Sequence, residues 1–166
     1  MTSSPSRRAI LRGKVNERPH PRPIGALAPM AFEDACTQCG DCARACPEEI
    51  ILRDAEGYPV LDPRAGACTF CGACTEACET GALIAGQPFP WRAAAEPNCL
   101  SLNGVQCRAC EDQCDSSAIR FRLLPGGSAQ PLFDDTACTG CGACVAPCPA
   151  GAIALHPFNP TEPAQC

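Results

Sequence analysis

The chain has 166 residues and a formal charge of −5, with 17 cysteines but only one Trp, one Tyr and six Phe. That length suits one or two small domains, and so few aromatics give a thin apolar core. No run of eighteen apolar residues occurs, so a transmembrane helix is not expected, and an odd cysteine count with metal-like spacing argues against a disulfide framework. Thiolates that ligate metal imply a reducing compartment. The charge is uneven: residues 1–32 carry six basic groups against Glu17, and the remainder carries seven basic and seventeen acidic groups, giving +5 and −10. An acidic body disfavours nucleic acid and favours basic protein surfaces.

Residues 1–29 form a basic, proline-rich N-terminal tail. Ser6-Arg7-Arg8-Ala9-Ile10-Leu11-Arg12 looks like a twin-arginine export signature. Export would need roughly 7–15 apolar residues next. Gly13 to Pro23 is instead charged and broken by Pro19, Pro21 and Pro23, so export is not expected. Two readings of the tail stand: a flexible segment with a short amphipathic turn, or a docking arm for an anionic partner surface. His20 reads as solvated.

Residues 30–85 form a first cysteine-rich unit. Met30-Ala31-Phe32 reads as a short strand. Cys36, Cys39, Cys42 and Cys46 follow with Pro47, spaced C-x2-C-x2-C-x3-C-P. Ile50–Arg53 and Tyr58–Leu61 read as a hairpin around Asp54-Ala55-Glu56-Gly57. Cys68, Cys71, Cys74 and Cys78 repeat the spacing, with Glu79 where Pro would stand, and Ala82-Leu83-Ile84 reads as a closing strand. Residues 86–98 read as a linker, because Pro88, Pro90 and Pro97 argue against a regular central strand. Phe89 and Trp91 would pack between the halves.

Residues 99–156 form a second unit. Cys99, Cys107, Cys110 and Cys114 keep the pattern except that seven residues separate the first two. Asn103-Gly104 offers a turn to bring Cys99 back. Ile119, Phe121 and Leu123 alternate with Arg120 and Arg122, as on a half-exposed strand. A turn over 125–128 leads to a returning strand at Pro131-Leu132-Phe133. Cys138, Cys141, Cys144 and Cys148 with Pro149 complete the fourth motif. Ala152–Leu155 closes the unit, and His156 reads as a cap or as solvated. Residues 157–166 are a short C-terminal tail whose Cys166, outside every motif, reads as a free thiol.

The C-x2-C-x2-C-x3-C-P run is the ligand pattern of a bacterial-type [4Fe–4S] cluster. Thiolates at i, i+3 and i+6 converge only if the backbone wraps one compact object, and Gly140 and Gly142 keep that wrap open. The fourth cysteine belongs to the neighbouring cluster. Hairpins join motif one to two and motif three to four, so those are the pairs. The expected ligand sets are Cys36, Cys39, Cys42 with Cys78; Cys68, Cys71, Cys74 with Cys46; Cys138, Cys141, Cys144 with Cys114; and Cys99, Cys107, Cys110 with Cys148. After each motif comes an apolar pair, Ile50-Ile51, Ala82-Leu83, Ala118-Ile119 and Ala152-Ile153, suited to covering a cluster face.

Structural zinc is the alternative, but zinc sites need neither a third thiolate at this spacing nor a trailing C-P. For the stretched motif two readings stand: Cys99 as a ligand, or Cys99 as a stray buried thiol with only three clusters in the chain. Four thiolates per site leave no open position for a substrate. No Ser–His–Asp set, phosphate-binding loop or flavin fingerprint is present. One-electron transfer is the chemistry that remains, in a protein that is not an enzyme. Glu79 and Asp115 would lower the reduction potentials if they face the clusters. The fold class expected is α+β, two bacterial-ferredoxin-like units in tandem with small hairpins and short helices around the clusters.

Each half resembles a bacterial two-cluster ferredoxin. The whole resembles the NapF family of ferredoxin-type accessory proteins of the periplasmic nitrate reductase system. The resemblance rests on Ser6-Arg7-Arg8-Ala9-Ile10-Leu11 without an export core, the four motifs in this order, the stretched gap, and Gln106-Cys107-Arg108-Ala109-Cys110-Glu111-Asp112-Gln113-Cys114. It implies a cytoplasmic protein that contacts NapA, the catalytic molybdenum subunit, before export and assists its maturation by electron supply or cofactor assembly. An electron-wiring subunit of another redox complex and a soluble electron shuttle are the alternatives.

Overall fold

The computed structural model describes residues 20–158; the twin-arginine-like segment and Cys166 lie outside the described residues. Ten short elements carry the described residues. In the first half these are α1 (Pro29–Ala35), α2 (Asp41–Ala45), β1 (Ile51–Arg53), β2 (Pro59–Leu61) and α3 (Ala73–Glu76). The second half holds β3 (Trp91–Ala95), α4 (Ala109–Asp112), β4 (Ile119–Leu123), β5 (Ala129–Phe133) and β6 (Ile153–Pro157). The strands form three separate two-stranded antiparallel sheets, β1–β2, β3–β6 and β4–β5. Elements this short cannot hold a fold by their own hydrogen bonding, so the fold depends on what the loops between them enclose.

The β1–β2 hairpin forms as expected, with Ile51 opposite Leu61 and Arg53 opposite Pro59. Asp54 sets its turn by accepting hydrogen bonds from the Glu56 and Tyr58 amides at 3.0 and 2.9 Å. Met30-Ala31-Phe32 is helix, not strand. Pro29 occupies the first turn of α1, where its fixed φ suits a helix and its missing N–H costs nothing. The helix turns Phe32 fully inward and leaves Met30 exposed.

The expected closing strand at 82–84 is a single bridge, and its partner is Ala26. Leu27 donates to the Ala82 carbonyl and Ile84 to the Gly25 carbonyl. Pro21 accepts from the Leu61 amide at 2.7 Å, and Pro23 is fully buried. The flexible-tail reading is therefore corrected for residues 21–27. That stretch is a strap built into the first half, which composition alone had grouped with the basic segment before it.

A second correction concerns residues 86–98, where a regular strand is present after all. β3 pairs with β6 from Trp91↔Pro157 to Ala95↔Ile153. The prolines flank the strand at positions 88, 90 and 97 rather than interrupting it, and in a two-stranded sheet each strand is an edge. The β4–β5 hairpin is in register from Ile119↔Phe133 to Leu123↔Ala129. Its alternation holds at Ile119 and Phe121 but fails at Leu123, which is 77% exposed beside the turn.

Two cores result. Phe32, Ile50, Ile51, Leu61, Ala82 and Leu83 surround Cys42 and Cys74 in the first. Ala93, Ile119, Val145 and Ile153 surround Cys110 and Cys144 in the second. All eight residues of the apolar pairs after the motifs are buried. Phe89 packs on the first core while its ring lies against Gly140 of the second half, so it does sit between the halves.

Candidate metal centres

Each cysteine loop is shaped by backbone that turns left-handed at repeated places. The residue before the second cysteine has positive φ in motifs one, two and four, at Gln38, Phe70 and Gly140. So does the residue after it, at Gly40, Gly72 and Gly142. These turns coil the loop so that successive thiols point inward, and a short helix in motifs one to three, or a turn in motif four, then carries the third cysteine into the core. That third cysteine, Cys42, Cys74, Cys110 or Cys144, is buried in every motif, joined in motif three by Cys99.

The first hollow is lined by Cys36, Cys39, Cys42 and Cys78, with Phe32, Ala82 and Leu83 on its apolar wall. The second is lined by Cys68, Cys71, Cys74 and Cys46, with Ile50, Ile51 and Leu61. In both, the fourth thiol comes from the other motif. Burial pushes the Cys42 thiol up, and negative charge on Cys36, Cys39 and Cys78 acts the same way. Burial pushes Cys74 up to about 11, reinforced by Cys68, Cys42 and Cys46. Buried neutral thiols with like neighbours are poor isolated anions, and a cationic cluster core resolves that conflict.

The second half repeats the arrangement. Burial pushes Cys110 up to about 11, and the thiols acting on it are Cys99, Cys148 and Cys107. Despite the seven-residue gap, Cys99 therefore lies close enough to Cys110 to act on its thiol. Asn103 holds the loop: its side-chain amide donates to the Cys99 and Pro97 carbonyls at 2.8 Å each, and Gly104 turns with φ +80°. Cys99 itself is buried. Burial pushes Cys144 up to about 12, with Cys141 and Cys138 acting on it. Cys114 and Cys138 pack against the same core as Cys144.

Hydrogen bonds reach the sulphurs. The Leu83 amide donates to Cys78 Sγ at 3.4 Å and the Ala152 amide to Cys148 Sγ at 3.2 Å. Burial of Cys78 acts to raise its pKa, but the Thr80 hydroxyl and the Leu83, Ala82 and Thr80 amides outweigh it and lower the value. Sequence reasoning missed Thr80 and its counterpart Ser116. The signal was a hydroxyl residue two places after the last cysteine in the two motifs that lack the C-P proline. Glu79 and Asp115 are both exposed. Among the described residues no group of three or more His, Cys, Asp and Glu closes on a point where one metal ion would sit. The two sets of the first half surround hollows instead, which fits a polynuclear cluster.

Thiol sets of this shape, crossed as a pair in the first half, define an iron–sulfur protein of the dicluster ferredoxin type. Residues 35–83 and 105–152 each match a 4Fe-4S dicluster domain, so the chain is built for several [4Fe–4S] clusters. Cys99 lies outside the second matched stretch. The chain is 38% identical over 169 residues to the ferredoxin-type protein NapF of Haemophilus influenzae, covering 94% of this chain and 96% of that one. It is 36% identical to NapF of Escherichia coli K12, covering 89% and 92%. It is also 31% identical to the methylamine utilization ferredoxin-type protein MauM of Methylobacillus flagellatus, covering 81% of this chain and 68% of MauM. The chain belongs to the NapF family of ferredoxin-type iron–sulfur proteins. Among the described residues no helix is long and apolar enough to cross a membrane.

Proposed function

We propose that this protein is a cytoplasmic four-cluster electron carrier that assists maturation of the periplasmic nitrate reductase catalytic subunit, NapA, before its export. The observation that carries the reading is the crossing of the fourth thiol, Cys78 into the Cys36 hollow and Cys46 into the Cys68 hollow. Cys36, Cys39, Cys42 and Cys78 would hold one cluster, and Cys68, Cys71, Cys74 and Cys46 a second. Cys138, Cys141, Cys144 and Cys114 would hold a third, and Cys99, Cys107, Cys110 and Cys148 a fourth. When bound, such clusters supply one-electron oxidation and reduction.

The chain's own residues do the rest. The apolar pairs exclude water from the hollows, and amide and hydroxyl donors hold negative charge at sulphur. With four thiolates per set, substrate has no coordination position, so the role is electron supply rather than catalysis. Similarity to MauM, which the matching stretch likewise spans, favours one second reading: the same carrier serving another redox system.

Anaerobic purification with a tagged nitrate reductase catalytic precursor separates the two. Co-purification of the precursor, in a chain containing four clusters, is expected. A loaded chain that ignores the precursor and binds another redox complex would favour the second reading, and an iron-free folded chain would overturn both.

A further inference from the structure

We infer that the two halves form one electron conduit ordered Cys36 set, Cys68 set, Cys138 set, Cys99 set, which crosses between the halves where the Cys68 amide donates to the Cys141 carbonyl. This rests on the carrier reading above and adds its route. The order departs from the sequence, since motif four stands before motif three.

Within each half the neighbours are given by the cores. Cys42 and Cys74, one thiol from each set, share the first core, and Cys110 and Cys144 share the second. Between halves the contact is backbone to backbone: Cys68 N–H to Cys141 O is 2.8 Å. Both residues are cysteines of ligand loops, one from motif two and one from motif four. No side chain intervenes, because glycine occupies the facing positions. A Cβ on Gly142 would lie 2.7 Å from Pro63 Cβ, and one on Gly140 would lie 2.9 Å from Cδ1 of Phe89, which packs on the first core. Phe89 closes the flank, with its ring 6.1 Å from that of Phe70, the residue preceding Cys71.

Shape and chemistry thus agree. Motif four touches the first half through its glycine-lined loop, whereas the stretched segment from Cys99 turns the other way. Ser101 there donates to the Ala129 carbonyl and Gln106 to the Gly127 carbonyl, both on the β4–β5 hairpin. The Cys36 and Cys99 sets are therefore the conduit's ends. A reduced donor protein loses one electron at one end, an oxidised acceptor protein gains it at the other, and no bond forms or breaks. Gly142 is a positioning residue that keeps the two middle sets adjacent.

Electron paramagnetic resonance of the reduced full chain tests the route. Cys107→Ser removes the Cys99-set cluster, and Cys107→Ser/Cys141→Ser removes the Cys138-set cluster as well. The first spectrum is expected not to equal the second plus one isolated doublet, because the Cys68-set and Cys138-set spins couple. Simple additivity overturns the inference.

Should those variants fail to load, Gly142→Ala in the otherwise unaltered chain decides the matter. It is expected to keep its iron, weaken the inter-half coupling, and speed hydrogen exchange at the Cys68 amide roughly tenfold. Gly126→Ala, in the β4–β5 turn and also at positive φ with nothing within 4 Å of the added Cβ, should do neither. Unchanged coupling and exchange in Gly142→Ala overturn the inference while leaving the carrier reading intact. A chain that binds no iron overturns both.

Discussion

The Thr80 hydroxyl lies 3.6 Å from Cys78 Sγ, and the Ser116 hydroxyl stands in the same relation to Cys114 Sγ at 3.5 Å. Both hydroxyls sit two residues after the last cysteine of a motif. Motifs one and four have Pro47 and Pro149 directly after that cysteine and no hydroxyl two places on. A hydroxyl donating to a thiolate stabilises the more negative, reduced state and raises the reduction potential. In the proposed ligand sets Cys78 would serve the Cys36 set and Cys114 the Cys138 set, so one cluster in each half would receive the extra donor.

Thr80→Val keeps the shape and removes the donor. The expected result is a fall of tens of millivolts in one midpoint potential, on the scale of about 59 mV per tenfold for one electron, with the others unmoved. Ser116→Ala should do the same to one cluster of the second half. Redox titration followed by paramagnetic resonance checks both, and four unmoved potentials would remove the hydroxyls from the tuning of the sites.

Arg22 fastens the strap. Its guanidinium meets Asp54 Oδ2 at 2.7 Å and the Pro59 carbonyl at 3.1 Å, and it lies 5.4 and 5.6 Å from the ring centroids of Phe32 and Tyr58. Arg22→Ala should cost the first half about 2–3 kcal/mol. Arg22→Lys should recover only part, because lysine has no planar fork. Heat-induced bleaching of the cluster absorption reads both. Burial of Asp54 acts to raise its pKa, but the Arg22 hydrogen bond and the Tyr58 and Glu56 amides outweigh it and hold the carboxyl below its ordinary 3.8. The Asp54 contribution is then complete above pH 3.8 and lost as pH falls through the lower folded value; in Asp54→Asn that dependence should vanish. Because the strap includes Arg22, a test of the docking-arm reading should remove residues 1–19 and spare 20–27.

Much of this architecture was legible in the sequence, for a physical reason. Four thiols around one object fix their own spacing, and the buried pair after each motif must be apolar whatever the neighbours are. What stayed hidden depended on context. Pro29 starts a helix because Phe32 has a core to enter, and Ala93 and its neighbours form a strand because β6 arrives from sixty residues away to pair with it. Pro21 and Pro23 look like linker residues until the Leu61 amide is seen to need an acceptor. Thr80 and Ser116 left a pattern in the sequence, a hydroxyl two places after the last cysteine where the proline is missing, but its meaning shows only once the sulphur's orientation is known.

Cys99 separates the two readings of the stretched motif. It is buried and acts on Cys110, as Cys107 and Cys148 do, and the Asn103 side chain holds its carbonyl. Cys99→Ala should therefore lose one cluster in four, measured as iron and acid-labile sulfide per chain. A chain whose iron content is unchanged by the substitution would make Cys99 a stray thiol.

The third residue after the last cysteine repeats one conformation in all four motifs: Glu49, Gly81, Ser117 and Gly151 have φ of +54°, +72°, +53° and +56°. Each donates its amide to the carbonyl of that cysteine, closing a tight turn. The left-handed residue then reverses the chain, so that the next two residues run beneath the hollow and the amides of Leu83 and Ala152 meet sulphur. Two motifs adopt this conformation without glycine, at a cost of about 1–2 kcal/mol each. Ser117→Gly and Glu49→Gly relieve that strain but loosen the unfolded chain, so each should stabilise its half by at most about 1 kcal/mol. Gly151→Ala meets nothing within 4 Å and should lose about 1–2 kcal/mol from strain alone. Thermal bleaching of the loaded chain measures all three, and the opposite signs are the point: if Ser117→Gly destabilised as much as Gly151→Ala, the turn would not be what positions the apolar pair.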